Sequence, residues 1–419
     1  MQQDVNVNFG NLLLSLSDAM NLALPDLASH GIRTAFVAWR TGRGLGLEPG
    51  PMGRLVAAAL LHDLGAISVE EQERLLANEE REPEIHCIRG AVLLDQAGLL
   101  RGLAPVVRHH HRPLEEWGGA ARTEEFLLAQ ILLLADQVDR SLDREVHILQ
   151  QSEAVRNKVR TLAPATVLPD VAGAFLATSE AEEFWLTLRS RRLYSTLLHE
   201  GPIYSQQVGM ASLLEITGVF RDIVDFRSRF TSTHSSGVAR SAVLLATILG
   251  MTEPELRLMQ VAGDVHDLGK LAIPNRILEK QGGLTAGEFQ IMKQHTYYTF
   301  TILDTIGGLR QVPQWAAFHH ERLDGKGYPF RLDRESLDTG ARIMAVADTF
   351  TALAEDRPYR PAMDSERIAK VLAGMAEDDK LDRRLTRLLL DHMGDIRPRV
   401  RETQAAARDF YETRFAVVG

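Results

Sequence analysis

The sequence predicts an all-α protein built from two related helical domains in tandem. Three observations carry this. Apolar residues recur near every 3.6 positions in stretches such as RLVAAALLHDLGAI (54–67) and ILLLADQVDRSL (131–142), with no strand-like alternation. The tetrapeptide His-Asp-Leu-Gly occurs twice, at 62–65 and 266–269. The same ordered set of histidines and aspartates surrounds each copy.

The repeat is one of spacing as well as of residue type. His30 stands 32 residues before His62, and His234 stands 32 before His266. His86 precedes His110 by 24 residues, and His295 precedes His319 by the same 24. Histidine runs follow in both halves (109–111 and 319–320), and each half ends in Ala-Asp on an apolar helix, at Asp136 and at Asp348. The pattern divides the chain into a first domain over 1–155, a helical linker over 156–204 containing LAPATVLPDVAGAFLATSEAEEF, and a second domain over 205–419.

Element by element, TEPELRLMQVAGDVHDLGK (252–270) reads as a helix opened by a capping box, Thr252 with Glu255, with Pro254 tolerated in the first turn. Gly269 is expected to stop that helix just after His266 and Asp267, and Gly65 to do the same in the first copy. Both His-Asp pairs then sit on a last helical turn, where two side chains can be aimed at one point. From Asp364 onward the chain is again helical, and its run of charges reads as a solvated face.

Composition narrows the function classes. The chain has 419 residues, 45% hydrophobic and 25% charged, as a soluble globular protein would, and a net charge of −9. An acidic balance argues against duplex DNA or RNA as a partner, since phosphate backbones recruit basic surfaces. No stretch approaches the ~18 uninterrupted apolar residues of a membrane span. The single cysteine, Cys87, excludes an intrachain disulfide and, with no basic apolar leader at the N-terminus, fits a reducing cytoplasm.

In the second half, five histidines and two carboxylates are candidate metal ligands: His234, His266, Asp267, His295, His319, His320 and Asp348. Mixed imidazole and carboxylate donors suit iron, manganese and other transition metals better than magnesium or calcium alone. Seven donors exceed what one tetrahedral ion needs. Two ions fit if Asp267 bridges, with His234, His266 and Asp348 completing one and His295, His319 and His320 the other. Such a pair, roughly 3.5–4 Å apart, clamps a phosphoester for in-line attack by hydroxide.

The segments THSSGVA (233–239; Thr233 begins it), HDLGKLAIPN (266–275), MKQHT (292–296), HHERLDGKGYP (319–329) and ARIMAVADTFTAL with DRPYR (341–360) resemble the HD-GYP family of phosphohydrolases. The resemblance implies an HD-superfamily fold in both domains, a centre of two divalent ions, iron or manganese, and hydrolysis of a cyclic dinucleotide. Cyclic di-GMP is the usual substrate, cut to the linear dinucleotide and onward to GMP; 3′3′-cyclic GMP-AMP and a non-enzymatic cyclic dinucleotide module are the alternatives. It assigns catalysis to Asp267 and Lys270, and phosphate binding to Lys270, Arg357 and Arg360. The Gly325–Gly327 turn leads into the Gly-Tyr-Pro loop, expected to shape the site or dock protein partners; the first domain is a second candidate surface, for partners or for a second copy of the chain. Three-metal members carry an acidic residue four before the first histidine and three after the last aspartate. Phe230 and Thr351 stand there, which implies two metals.

The first domain keeps His30, His62, Asp63, His86, His110 and Asp136, and has Asp26 and Asp139 at the flanking acidic positions. Ala66 replaces the lysine, Gly-Tyr-Pro is absent, and Glu145 and Ile148 stand where the paired arginines would be. Metal ligands survive there without the phosphate-handling groups. The expected first domain is therefore a degenerate copy, catalytically silent.

Overall fold

The computed structural model describes residues 6–20, 22, 29–76, 84–118, 123–228, 232–356 and 361–418. The described residues are helical almost throughout. Their one named sheet pairs Val7–Asn8 with Gln207–Val208, antiparallel, Val7 opposite Val208. No helix among them is long and apolar enough to cross a membrane.

The chain separates into two compact units, one made of Val7–Ala66 with Glu71–Val208, the other chiefly of Gly209–Gly419. The expected linker over 156–204 is not a separate connector. Its helices Pro169–Thr178, Glu182–Leu188 and Leu193–Glu200 belong to the first unit. The physical reason is aromatic burial. Phe175, Phe184 and Trp185 are fully buried, and the Phe184 ring stands 5.4 Å from that of Phe36 on helix His30–Gly44. Each such ring buries some 150–250 Å², too much to leave on a connector. The two-stranded sheet then ties the end of this segment back to the start of the unit.

In the second unit, helix Glu253–Val265 opens with the expected capping box: the Thr252 backbone N–H donates to Glu255 at 2.8 Å. The helix ends before His266, and the chain tightens into a 3₁₀ turn over Leu268–Ala272. Arg227, buried, holds this turn by donating to the carbonyls of Lys270 and Ile273 and to Asn275. Gly269 does not act as a left-handed helix stop. A Cβ there would lie 1.9 Å from the His295 carbonyl oxygen, so the glycine lets helix Ala286–Ile306 press against the His-Asp turn. Gly65 has the same duty in the first unit, where a Cβ would lie 2.0 Å from the His86 carbonyl. The repeated glycine thus keeps two histidine-bearing elements in contact. Gly269→Ala is expected to destabilise the second unit by about 3 kcal/mol or more through forced backbone separation, lowering its melting temperature by roughly 10 °C in calorimetry. An unchanged melting temperature would contradict this account.

Candidate active site

Five elements of the second unit bring the expected ligands to one point. His234 is the first residue of helix His234–Leu249, where Asp225 accepts from the Ser235 backbone N–H at 3.0 Å and from its hydroxyl at 2.6 Å. His266 and Asp267 follow helix Glu253–Val265. His295 lies within Ala286–Ile306. His319 and His320 follow Val312–Ala317, and Asp348 lies within Thr339–Ala354. All but His320 are buried; the His320 side chain is 33% exposed. Lys270, 19% exposed, is the other member of the set open to solvent, so His320 and Lys270 mark its mouth.

The histidines are held in one tautomer. Nδ1 of His266, His295 and His319 lies 2.8, 2.7 and 2.7 Å from the carbonyls of Gly263, Met292 and Ala316. A carbonyl only accepts, so Nδ1 carries the hydrogen and Nε2 presents its lone pair inward. Burial first, then neighbouring imidazoles, push His295, His319 and His320 down to about 3 against the pull of the carboxylates, so they are neutral donors at pH 7.

Asp267 stands between two groups of these nitrogens. Its Oδ2 lies 3.2 Å from His266 Nε2 and 3.8 Å from His234 Nε2, and His234 Nε2 lies 3.2 Å from Asp348 Oδ1. Its Oδ1 lies 3.4 Å from His295 Nε2 and 3.9 Å from His319 Nε2. Burial alone would push the Asp267 carboxyl up; His266, Lys270 and His295 outweigh it and hold the group well below the usual carboxylate range. Asp267 Oδ1 and His266 Nε2 are buried with no hydrogen-bond partner among the described residues. Orphaned polar atoms in such a place carry a large desolvation cost unless something binds them. The donor set fits transition-metal ions.

Lys270 Nζ donates to Asp267 Oδ2 at 2.5 Å. The Gly-Tyr-Pro loop lies over the mouth: the Tyr328 ring stands 5.0 Å from that of His320. With Lys293, Arg322, Lys326 and Arg331 the loop lines a cleft of about 650 Å³, whose cations suit a phosphate-bearing ligand. Arg357, Arg360, Phe230 and Asp26 lie outside the described residues. Thr351 is buried and hydrogen-bonded to Ser241 at 3.1 Å.

Among the groups that orient the histidines of this cluster, Glu355 escaped the sequence reading. Glu355 Oε2 lies 3.0 Å from His234 Nδ1, orienting that ring as the backbone carbonyls orient the other three, and Gln404 donates to its other oxygen. It follows Asp348 by seven residues, which places both on one face two helical turns apart, so the signal was present.

The first unit assembles a parallel cluster. His30 Nε2 is 3.2 Å from Asp136 Oδ1, and His62 Nε2 is 3.3 Å from Asp63 Oδ2. His86 Nε2 is 3.4 Å from Asp63 Oδ1. Asp139 is engaged elsewhere: it accepts from Arg33 Nε at 2.6 Å and Arg144 Nη2 at 2.9 Å, and meets His30 Nδ1 at 2.6 Å.

Comparison with known proteins agrees with this pairing. One family model, described as an HD domain, matches residues 27–141, and another, also an HD domain, matches residues 218–385. The chain is 29% identical over 389 residues to the 3′3′-cGAMP-specific phosphodiesterase 1 of Vibrio cholerae, covering 90% of each. It is 33% identical over 228 residues to a cyclic di-GMP phosphodiesterase of Thermotoga maritima, covering 54% of this chain and 56% of that one. A crystal structure of a cyclic GMP-AMP specific phosphodiesterase from V. cholerae superposes with a TM-score of 0.62 at 23% identity, over 96% of this chain and 98% of that one, a likeness of fold. HD domains are metal-dependent, and both halves of this chain are HD domains; the protein belongs to the HD-GYP family of phosphodiesterases.

Proposed function

We propose that the second domain hydrolyses a 3′,3′-cyclic dinucleotide. The observation that carries the reading is the Asp267 carboxylate, which offers one oxygen to His234 and His266 and the other to His295 and His319, with Lys270 beside it at the open mouth. Two divalent ions, iron or manganese, would be held by His234, His266 and Asp348 on one side of Asp267 and by His295, His319 and His320 on the other, supplying Lewis-acid polarisation and an activated water at neutral pH. Hydrolysis adds one water across a P–O3′ bond. The water oxygen would bond to phosphorus, and the 3′ oxygen would leave with a proton given by Lys270, which stands beside Asp267 at the mouth. Arg357 and Arg360 are proposed to grip a phosphate through paired hydrogen bonds. The basic cleft under the Gly-Tyr-Pro loop would take the remainder of the dianionic ring, which favours site shaping over partner docking for that loop.

Cyclic di-GMP is the substrate the motif resemblance implies. A second reading, 3′3′-cyclic GMP-AMP, is favoured by the relative named for it that matches 90% of both chains, across both domains. The test is turnover of each compound by the full chain loaded with Mn²⁺, or with Fe²⁺ under anaerobic conditions, with products separated by chromatography. A linear dinucleotide from at least one is expected, and the larger kcat/KM names the substrate. No hydrolysis of either compound with either metal overturns the proposal.

A further inference from the structure

The two HD domains differ at the oxygens that would face the first of two ions. In the first domain these are Asp136 Oδ1 and Asp63 Oδ2, and a guanidinium already holds both. Arg140 Nε donates to Asp136 Oδ1 at 2.7 Å, and its Nη2 donates to Asp63 Oδ2 at 3.4 Å. The Arg140 side chain is only 7% exposed, and the two carboxylates hold its proton more firmly than an ordinary guanidinium's. A divalent ion placed here would stand against a fixed cation. The corresponding residue four beyond Asp348 is Ala352, so no guanidinium from that position spans the two oxygens in the second domain, where Lys270 donates to Asp267 Oδ2 instead.

The other half of the first-domain cluster has the opposite character. Asp63 Oδ1 and His111 Nε2 are buried with no hydrogen-bond partner among the described residues. His110 Nδ1 lies 2.7 Å from the Val107 carbonyl, which leaves Nε2 to face inward. His86 Nε2 is 3.3 Å from His110 Nε2 and 3.6 Å from Cys87 Sγ. With metal–nitrogen bonds of about 2.0–2.1 Å and metal–sulfur bonds of about 2.3 Å, neighbouring ligands on a tetrahedron stand about 3.4 Å (N to N) and about 3.5 Å (N to S) apart. The two edges that meet at His86 Nε2 match, and Cys87 Sγ lies 3.6 Å from the His110 ring at Nδ1. His86, Cys87, His110 and His111 each offer a donor atom, all within 4.8 Å of one another. The second domain has Thr296 at the place of Cys87, so the thiol is an addition peculiar to the first.

We propose that the first domain binds one transition-metal ion, held by His86, Cys87, His110 and His111 beside Asp63 Oδ1, with Arg140 filling the place of the second ion. A thiolate among imidazoles selects zinc, cobalt or ferrous iron over manganese or magnesium. The domain is then a mononuclear centre of different metal preference from its catalytic twin, one reason it has kept its histidines while losing the lysine and the Gly-Tyr-Pro loop.

The test uses the full chain carrying Asp267→Asn, which takes the bridging carboxylate from the second domain and leaves every first-domain residue in place. The protein is stripped of metal, titrated with Co²⁺, and read by elemental analysis and absorption. One cobalt per chain is expected in the first domain, with a strong near-ultraviolet thiolate-to-cobalt charge-transfer band. Adding Cys87→Ser should remove the band and weaken Co²⁺ binding about tenfold or more, and adding His30→Ala should leave both unchanged. No first-domain cobalt, bound cobalt without the band, or loss of the ion in His30→Ala while that variant keeps its circular dichroism would each overturn the proposal. The band in the Asp267→Asn protein is a readout that requires no first-domain variant to fold.

Discussion

Asp267→Ala is expected to remove both metal ions from the second domain and to lower turnover by at least roughly a thousandfold. The argument rests on how the carboxylate is shared. Each oxygen faces a different pair of imidazole nitrogens at 3.2–3.9 Å, so Asp267 is placed to serve both groups at once. Losing it deprives each ion of a charged ligand at once and leaves His266 Nε2 buried beside a void. Asp267→Asn separates metal loss from misfolding: it keeps the volume, and a neutral amide with one oxygen cannot bridge two cations. Metal content by elemental analysis should fall by two ions per chain in both variants, with the melting curve of Asp267→Asn close to that of the stripped wild type. Turnover retained by a metal-depleted Asp267→Ala protein would refute the role given to this residue.

The repeat, the helical class and the seven second-domain candidate ligands that the structure brings together were legible in the sequence because each depends on spacing. A histidine 32 residues before a His-Asp pair, or an aspartate on an apolar helix, keeps its meaning without coordinates. What was not legible depends on where one element meets another. Gly269 read as a helix stop, since glycine after a helix usually is one; its actual constraint, the His295 carbonyl, lies 26 residues away. The segment 156–204 read as a helical linker between the two repeats, and the burial of Phe175, Phe184 and Trp185, with the Phe184 ring 5.4 Å from that of Phe36, returns it to the first unit. Arg140 and Glu355 are intermediate cases. Each follows an aspartate of the cluster on one helical face, by four and by seven residues, and the pattern was available. Its consequence was not, because spacing does not say whether a guanidinium turns toward Asp63 or toward water. Cys87, next to His86 in sequence, could not be assigned to the same cluster without the approach of His110.

Lys270→Ala is expected to lower kcat by about a hundred- to a thousandfold, the usual cost of removing a group that meets charge developing in the transition state, while second-domain metal content stays at least at the wild-type level. The sign of the metal effect follows from geometry. Lys270 Nζ rests 2.5 Å from Asp267 Oδ2, the oxygen directed at His234 and His266. An ion arriving there competes with the ammonium for that oxygen, so removing the ammonium eases binding instead of weakening it. A structural role would act the other way, loosening the 3₁₀ turn and shedding metal along with activity. That turn is held by the Arg227 guanidinium, which donates to the backbone carbonyls of Lys270 and Ile273, contacts that survive truncation of the Lys270 side chain. Loss of metal together with activity would therefore refute the assignment, and recovery of part of the rate with added alkylamine would support it. The reciprocal change, Ala66→Lys, should not create a second active site. Arg140 already occupies Asp63 Oδ2, the counterpart of the oxygen Lys270 meets, and a new ammonium at 66 would confront that guanidinium before it met any substrate.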